Sequence, residues 1–155
     1  MFQDKVAFIT GGSRGIGKAC ACVLSEAGAH VIITGRDLTT LNQASSEIES
    51  QGGQVLPVKM DVANPDQIKM AFAKVMESFG RIDILVNNAG VTKDNLLLRM
   101  KEEDWLTVIE TNLTATFLVT RMAIKIMLKQ RYGRIINISS VVGVTGNSGQ
   151  ANYAA

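Results

Sequence analysis

Histidine occurs once in this sequence, cysteine twice and proline twice, and each scarcity removes a class of chemistry or of architecture. His30 is the one candidate for a histidine base, and its place at the start of an apolar stretch reads as a solvated strand-start residue. Cys20 and Cys22 stand two steps apart on an expected helix and point to nearly opposite sides, so neither a disulfide nor a metal site follows. The 16 basic and 14 acidic residues are interspersed and leave a formal net charge of +2, without the one-sided basic cluster that nucleic acid requires. Apolar runs stay shorter than a membrane span, and the N-terminus MFQDKVAFIT enters a strand at once, so no export signal or spanning helix is expected. Repeats, low-complexity tracts and linkers are lacking. With 155 residues and 46% hydrophobic content the chain can bury one sizeable core, and a single domain over residues 1–155 is expected.

What is present is organised around Thr10 to Gly17, TGGSRGIG. This stretch follows the apolar run Val6 to Ile9 and precedes Ile16, Ala19, Cys20, Val23 and Ala27, whose three- and four-residue steps describe the buried face of a helix. Strand, tight Gly-rich turn and helix, in that order, outline a dinucleotide site. Gly11 allows the turn, Gly15 lets phosphates approach the backbone and Gly17 lets the helix pack closely on the strand, while free N–H groups at the helix start attract anions. The spacing is G-x-x-x-G-x-G and not G-x-G-x-x-G, so the loop taken alone also fits a Gly-rich turn without a ligand.

After a first helix ending at Gly28, strands are expected at His30–Thr34, Gln54–Met60, Ile82–Val86 and Arg134–Ile138. A helix from Asp37 to about Gln51 has Asp37 as N-cap and Leu38, Leu41, Ala44 and Ile48 on its inner face. Another follows Asn64-Pro65 and buries Ile68, Phe72, Val75, Met76 and Phe79 before Gly80. Pro57 cannot donate to a ladder, which puts the third strand at an edge, in agreement with the order 3-2-1-4-5. The fold class is therefore α/β, a doubly wound, Rossmann-type parallel sheet. The longest helical stretch, about Glu102 to Gln130, carries Trp105, Leu113, Phe117, Leu118, Met122 and Ile126 around its cylinder. A helix apolar on two sides is buried on two, by a partner or by further chain. Ser139 to Gly149 reads as a loop, and a helix begins at Gln150.

TGGSRGIG at 10–17, Asp61-Val62, NNAG at 87–90, Asn112, Ser140 and Tyr153 together resemble the short-chain dehydrogenase/reductase family, over every residue of the chain. Within that family the stretches VTKDNLLLRMK (91–101), IETNL (109–113) and NISSVVGVTGNSGQANYAA (137–155) are similar to reductases of fatty-acid synthesis that act on 3-oxoacyl thioesters of acyl carrier protein. The resemblance implies a longer chain, with two more strands and a lysine four positions after the tyrosine, two residues past Ala155. Without that part, Ile135, Ile136 and Ile138 form an exposed apolar edge. A phenol with an ordinary pKa of about 10 needs a nearby cation to exchange protons at neutral pH. The 155 residues alone are accordingly expected to be inactive.

The same resemblance assigns Tyr153 as proton donor, Ser140 as hydrogen-bond partner of the developing oxyanion, and Asn112 as the residue holding a kink and a water path in the long helix. It assigns Gly11, Ser13, Arg14, Gly15, Ile16 and Gly17 to cofactor binding, Asp61 and Val62 to the adenine, and Asn88, Ala89 and Gly90 to the stretch that closes strand four beneath the cofactor. Asn87 reads equally as a strand-end stabiliser. At the end of strand two an NAD site would place an acid on the ribose, yet Gly35 stands there, followed by Arg36 and faced by Arg14. NADPH is the expected cofactor, with Asp37 accounted for as an N-cap. Docking of an acidic carrier protein is assigned to Arg131, with Arg99 and Lys101 as further basic residues, although Lys129 and Arg131 equally suit a helix C-terminus. A homo-oligomer, tetrameric by resemblance, is expected in the cytoplasm or in an organelle matrix. Two other readings stay open: a reductase of another small ketone or sugar, and a catalytically silent nucleotide-binding subunit.

Overall fold

A computed structural model describes residues 1–155. Five strands, β1 (Val6–Ile9), β2 (His30–Gly35), β3 (Gln54–Lys59), β4 (Ile84–Asn87) and β5 (Arg134–Asn137), form one parallel sheet in the order β3-β2-β1-β4-β5. The three central strands are apolar at nearly every position because both sheet faces are covered. Alternation divides them. Val6, Phe8, Ile32 and Leu85 join the core beneath α3 (Pro65–Phe79) and α5 (Ala115–Gln130), while Ala7, Ile9, Ile33 and Val86 join the one beneath α1 (Gly15–Glu26) and α2 (Leu38–Ser50). Phe8 and Phe72 anchor the first core, fully buried with ring centroids 4.7 Å apart. Each contributes on the order of 2 kcal/mol by burial.

Pro57 lies where a missing N–H is harmless, opposite Ile33 on the outer strand β3. Helix starts follow the expected chemistry. The Asp37 carboxylate accepts from the N–H groups of Thr39 and Thr40 at 2.7 and 3.3 Å, and Asn64 accepts from Asp66 and Gln67 at 3.0 and 3.1 Å. Leu38, however, faces solvent, and Ser45 joins the inner face of α2 in its place.

Of the expected inner face of α1, Cys20 packs against the core and Ile16 and Val23 do not. Ile16 and Val23 are 61% and 62% exposed, and the buried residues are Gly17, Ala21 and Ser25. Small side chains recur on this face at four-residue steps, and at Gly17 an added Cβ would meet the Gly11 carbonyl and the Asn88 amide, which hydrophobicity alone does not reveal. Strand β4 starts two residues later than expected, at Ile84, although the Asp83 backbone already bonds to Val6 on one side and to Arg134 on the other, each at 2.8 Å. The long helical stretch is three pieces: α4 (Glu102–Ile109), a π-helical turn (Glu110–Thr114) and α5. Its buried face is Val108, Ala115, Val119, Ala123 and Met127, while Leu113, Phe117, Ile124 and Leu128 are exposed. All of β5 is exposed, as an edge strand. Between Ser139 and Gly149 the chain forms a short helix, α6 (Val142–Thr145), before α7 (Ala151–Ala154). No helix is long and apolar enough to cross a membrane.

Candidate nucleotide-binding cleft

Helices cross from one sheet face to the other between β1 and β4, and at such a switch point the loops beyond the strands' C-terminal ends part to leave a crevice. Here a cleft of about 510 Å³ opens there. Its lining brings together Gly11, Ser13, Arg14, Gly15 and Ile16 after β1, Gly35, Arg36 and Asp37 at the end of β2, Met60, Asp61 and Val62 after β3, and Asn88, Ala89, Gly90 and Val91 after β4, with Thr40 and Thr111. Every residue expected to hold a cofactor lies on this surface except Gly17. That residue lies beneath it, where an added Cβ would collide with the Gly11 carbonyl and the Asn88 amide.

The two central loops are stitched together by Thr10, which was not singled out from the sequence. Its hydroxyl accepts from the N–H groups of Asn88 and Ala89, each at 3.0 Å, and faces the Val86 carbonyl at 3.4 Å. The Asn88 amide returns the tie by donating to the carbonyls of Thr10 and Gly11 at 3.1 and 3.0 Å. A threonine that ends an apolar strand immediately before a Gly-rich loop is the available signal. Asn87 is a strand-end stabiliser: it is buried, and its amide nitrogen donates to Thr120 at 2.9 Å and to Asn137 on β5 at 2.8 Å.

The electrostatics favour an anion. α2 and α3 begin with side-chain caps, whereas α1 has none, so the first N–H groups of α1 have no side-chain acceptor at the cleft. Gly15, with φ of 54° and open space around its Cβ position, keeps that approach clear. Arg14 and Arg36 are exposed on the lining and neither is in an ion pair. The two nearby acids are engaged locally, Asp37 as the α2 cap and Asp61 by accepting from the Ala63 N–H at 3.0 Å.

A sequence profile described as short chain dehydrogenase matches residues 5–155. The chain belongs to this family. It is 50% identical over 152 residues to a 3-oxoacyl-[acyl-carrier-protein] reductase of Synechocystis, covering 97% of this chain and 62% of the relative. Enzymes of the same description from Thermotoga maritima and Escherichia coli are 50% and 47% identical, over 99% of this chain and 62% of theirs. This chain thus spans about three fifths of the length of these relatives. A crystal structure from Agrobacterium tumefaciens, provisionally assigned as a gluconate dehydrogenase, superposes with a TM-score of 0.95 at 37% identity, over 98% of this chain and 60% of that one.

In this short chain dehydrogenase Asn112 lies within the π-helical turn, a device that recurs at functional positions. Its side-chain oxygen accepts from the Val91 N–H at 2.9 Å and its nitrogen donates to the Val91 carbonyl at 3.0 Å. Asn112 therefore borders the cleft through Val91. Ser140 follows β5, and its hydroxyl accepts from the Val142 N–H at 3.2 Å. Tyr153 is half-buried on α7, which packs against α4 and α6. Arg131 is not brought to the cleft. It caps α5 in a left-handed conformation, three residues before β5 starts at the opposite end of the sheet. Strand β5 alone separates the two ends by roughly 13 Å, at about 3.3 Å per residue.

Proposed function

We propose that this chain is the nucleotide-binding part of an NADPH-dependent reductase that converts a 3-oxoacyl thioester of acyl carrier protein to its 3-hydroxyacyl form. The observation that carries the cofactor is the uncapped N-terminus of α1 set beside two arginines without acidic partners, with Gly35 where an NAD site would hold an acid. The residues of the cleft fit the group: the α1 N-terminus and Ser13 for its pyrophosphate, Arg14 and Arg36 for a 2′-phosphate, Asp61 and Val62 for its adenine. When bound, NADPH supplies the hydride for the carbonyl carbon. Tyr153 donates the proton that the carbonyl oxygen takes up, Ser140 donates a hydrogen bond to that oxygen as charge builds, and Asn112 holds Val91 against the cleft.

The acyl-carrier substrate rests on the reductases of that description, about half identical along nearly this whole chain. The likeness to the Agrobacterium protein favours a second reading, the same chemistry on a sugar or other small ketone. Carrier docking is assigned to Arg131, which is exposed, with Arg99 and Lys101, exposed in the loop that leaves the cleft at Val91, as further basic residues. A homo-oligomer would bury Leu113 of the π-helical turn and Phe117, Ile124 and Leu128 of α5, which are exposed and recur at four- and seven-residue steps.

Loss of NADPH absorbance with a 3-oxoacyl thioester, set beside gluconate with NADP and a panel of small ketones, tests the reading on the whole protein. Turnover of the thioester alone supports it. Turnover only of a sugar or small ketone transfers the site to the second reading, and nucleotide binding without turnover of any of them makes the protein a silent binder.

A further inference from the structure

Asn152, the residue before Tyr153, is 1% exposed and therefore touches no substrate itself. Its amide nitrogen donates to the Lys93 carbonyl at 2.9 Å and lies 3.4 Å from the Asp104 carbonyl. Those two carbonyls belong to fixed segments. Lys93 is two residues past Val91, which Asn112 clamps, and Asp104 is in the first turn of α4, with the Lys93 ammonium 3.9 Å from its carboxylate. Two further bonds fasten the stretch after Lys93 to the chain entering α7: the Asn95 N–H donates to the Gly149 carbonyl at 2.8 Å, and the Gln150 amide to Asp94 at 3.0 Å.

α7 opens at Ala151, and the side-chain bonds made by its first turn and by Gln150 just before it set how that turn is rotated about its axis. Successive residues project about 100° apart around that axis. Fixing the Asn152 side chain therefore fixes the direction in which the Tyr153 side chain leaves the backbone. The amide oxygen of Asn152 is buried with no partner, an unfavourable arrangement that a purely apolar side chain would avoid. The N–H donors are what the position retains.

We propose that Asn152 is a positioning residue that aims Tyr153, by tying α7 to the Lys93 and Asp104 carbonyls. This inference rests on the reading of Tyr153 as proton donor, and the test separates the two. The whole protein is labelled with 3-fluorotyrosine, the Tyr153 resonance is assigned as the one lost in Tyr153→Phe, and the parent is compared with Asn152→Ala. Asn152→Ser, which keeps one donor, is read in the same way should the alanine variant not fold. The variant is expected to shift and broaden the resonance and to lower kcat between about ten- and a hundredfold, the scale on which misplacing a reacting group by 1 Å acts. Its Kd for NADPH should stay within about twofold, because α7 is not part of the cleft lining. An unchanged resonance with unchanged kcat overturns the proposal, as does a parallel loss of NADPH affinity, which marks general loosening. If the parent reduces no ketone, the functional reading fails, and the fluorine comparison alone still decides whether Asn152 aims Tyr153.

Discussion

The carboxylate of Asp83 accepts a hydrogen bond from the backbone N–H of Val6 at 3.0 Å, tying the residue before β4 to the first residue of β1. Arg81 grips the same carboxylate through two nitrogens at 2.7 and 2.6 Å, and the Lys5 ammonium is 3.6 Å away. Burial by itself would raise the Asp83 pKa. The Arg81 hydrogen bonds, the Val6 N–H and the two positive charges outweigh it and hold the pKa below the ordinary carboxylate value. A pKa lowered by folding stabilises the protein above the unfolded-chain value, near 4, and that stabilisation is lost as pH falls through the folded value. Asp83→Asn should therefore cost about 2 kcal/mol at neutral pH and progressively less below about pH 4. Urea midpoints of both proteins across that range check this, and a constant difference would remove Asp83 from the account.

Glycines of the loop after β1 should respond differently to one added methyl group. At Gly17 the Cβ meets the Gly11 carbonyl and the Asn88 amide, and neither can withdraw without opening the stitched loops. Gly17→Ala is expected to cost about 3 kcal/mol, and Gly12→Ala, whose Cβ would lie 2.8 Å from the Ile33 side chain, about as much. At Gly15 the space is open and only the left-handed backbone opposes the change, for about 1–2 kcal/mol. Gly15→Ala should instead weaken nucleotide binding, because its methyl group enters the cleft. Thermal melts and nucleotide titrations of the three variants separate packing from access.

Asn112 is expected to matter through Val91. Removing both of its hydrogen bonds, as in Asn112→Ala, should cost about 2 kcal/mol and speed hydrogen exchange at the Val91 N–H. Asn112→Asp keeps the acceptor but sets a carboxylate against the Val91 carbonyl, so it should be no more stable than the alanine variant. Recovery of stability in the aspartate variant would show that the donor half of the clamp is dispensable.

The strand order was legible because two local rules fix it: apolar runs too continuous for a half-exposed sheet, and a proline that only an edge strand tolerates. The cleft was legible for the same reason, since loops after successive parallel strands gather at one end of the sheet. What escaped depends on partners distant in sequence. Thr10 reads as one more strand residue until Asn88 is beside it, and Asp83 reads as a loop acid until the start of β1 reaches it. The small-residue face of α1 was hidden because closeness of approach, and not apolarity, selects those side chains. That Arg131 lies at the far end of the sheet from the cleft shows only in the antiparallel course of α5 and β5.

Cofactor choice turns on which charge stands at the end of β2. Arg36 has no acidic partner there, so its guanidinium is free to meet a 2′-phosphate without first breaking an ion pair. A charge-assisted hydrogen bond is worth about 1.5–3 kcal/mol, so Arg36→Ala should weaken NADPH binding roughly ten- to a hundredfold and leave NADH within about twofold. Gly35→Asp makes the stricter test. A Cβ at Gly35 would lie 3.5 Å from both the Leu41 side chain and the Ser13 hydroxyl, which is ordinary contact, so the fold should accept the change. The new carboxylate would repel a 2′-phosphate and could accept from a ribose hydroxyl, turning the preference toward NADH. Nucleotide affinities measured by calorimetry at low and high salt distinguish the two effects, since the Arg36 contribution is screened and steric loss is not. If both variants keep the parent's preference for NADPH over NADH, the 2′-phosphate is held by groups other than Arg36, with Arg14 the remaining cation of the cleft.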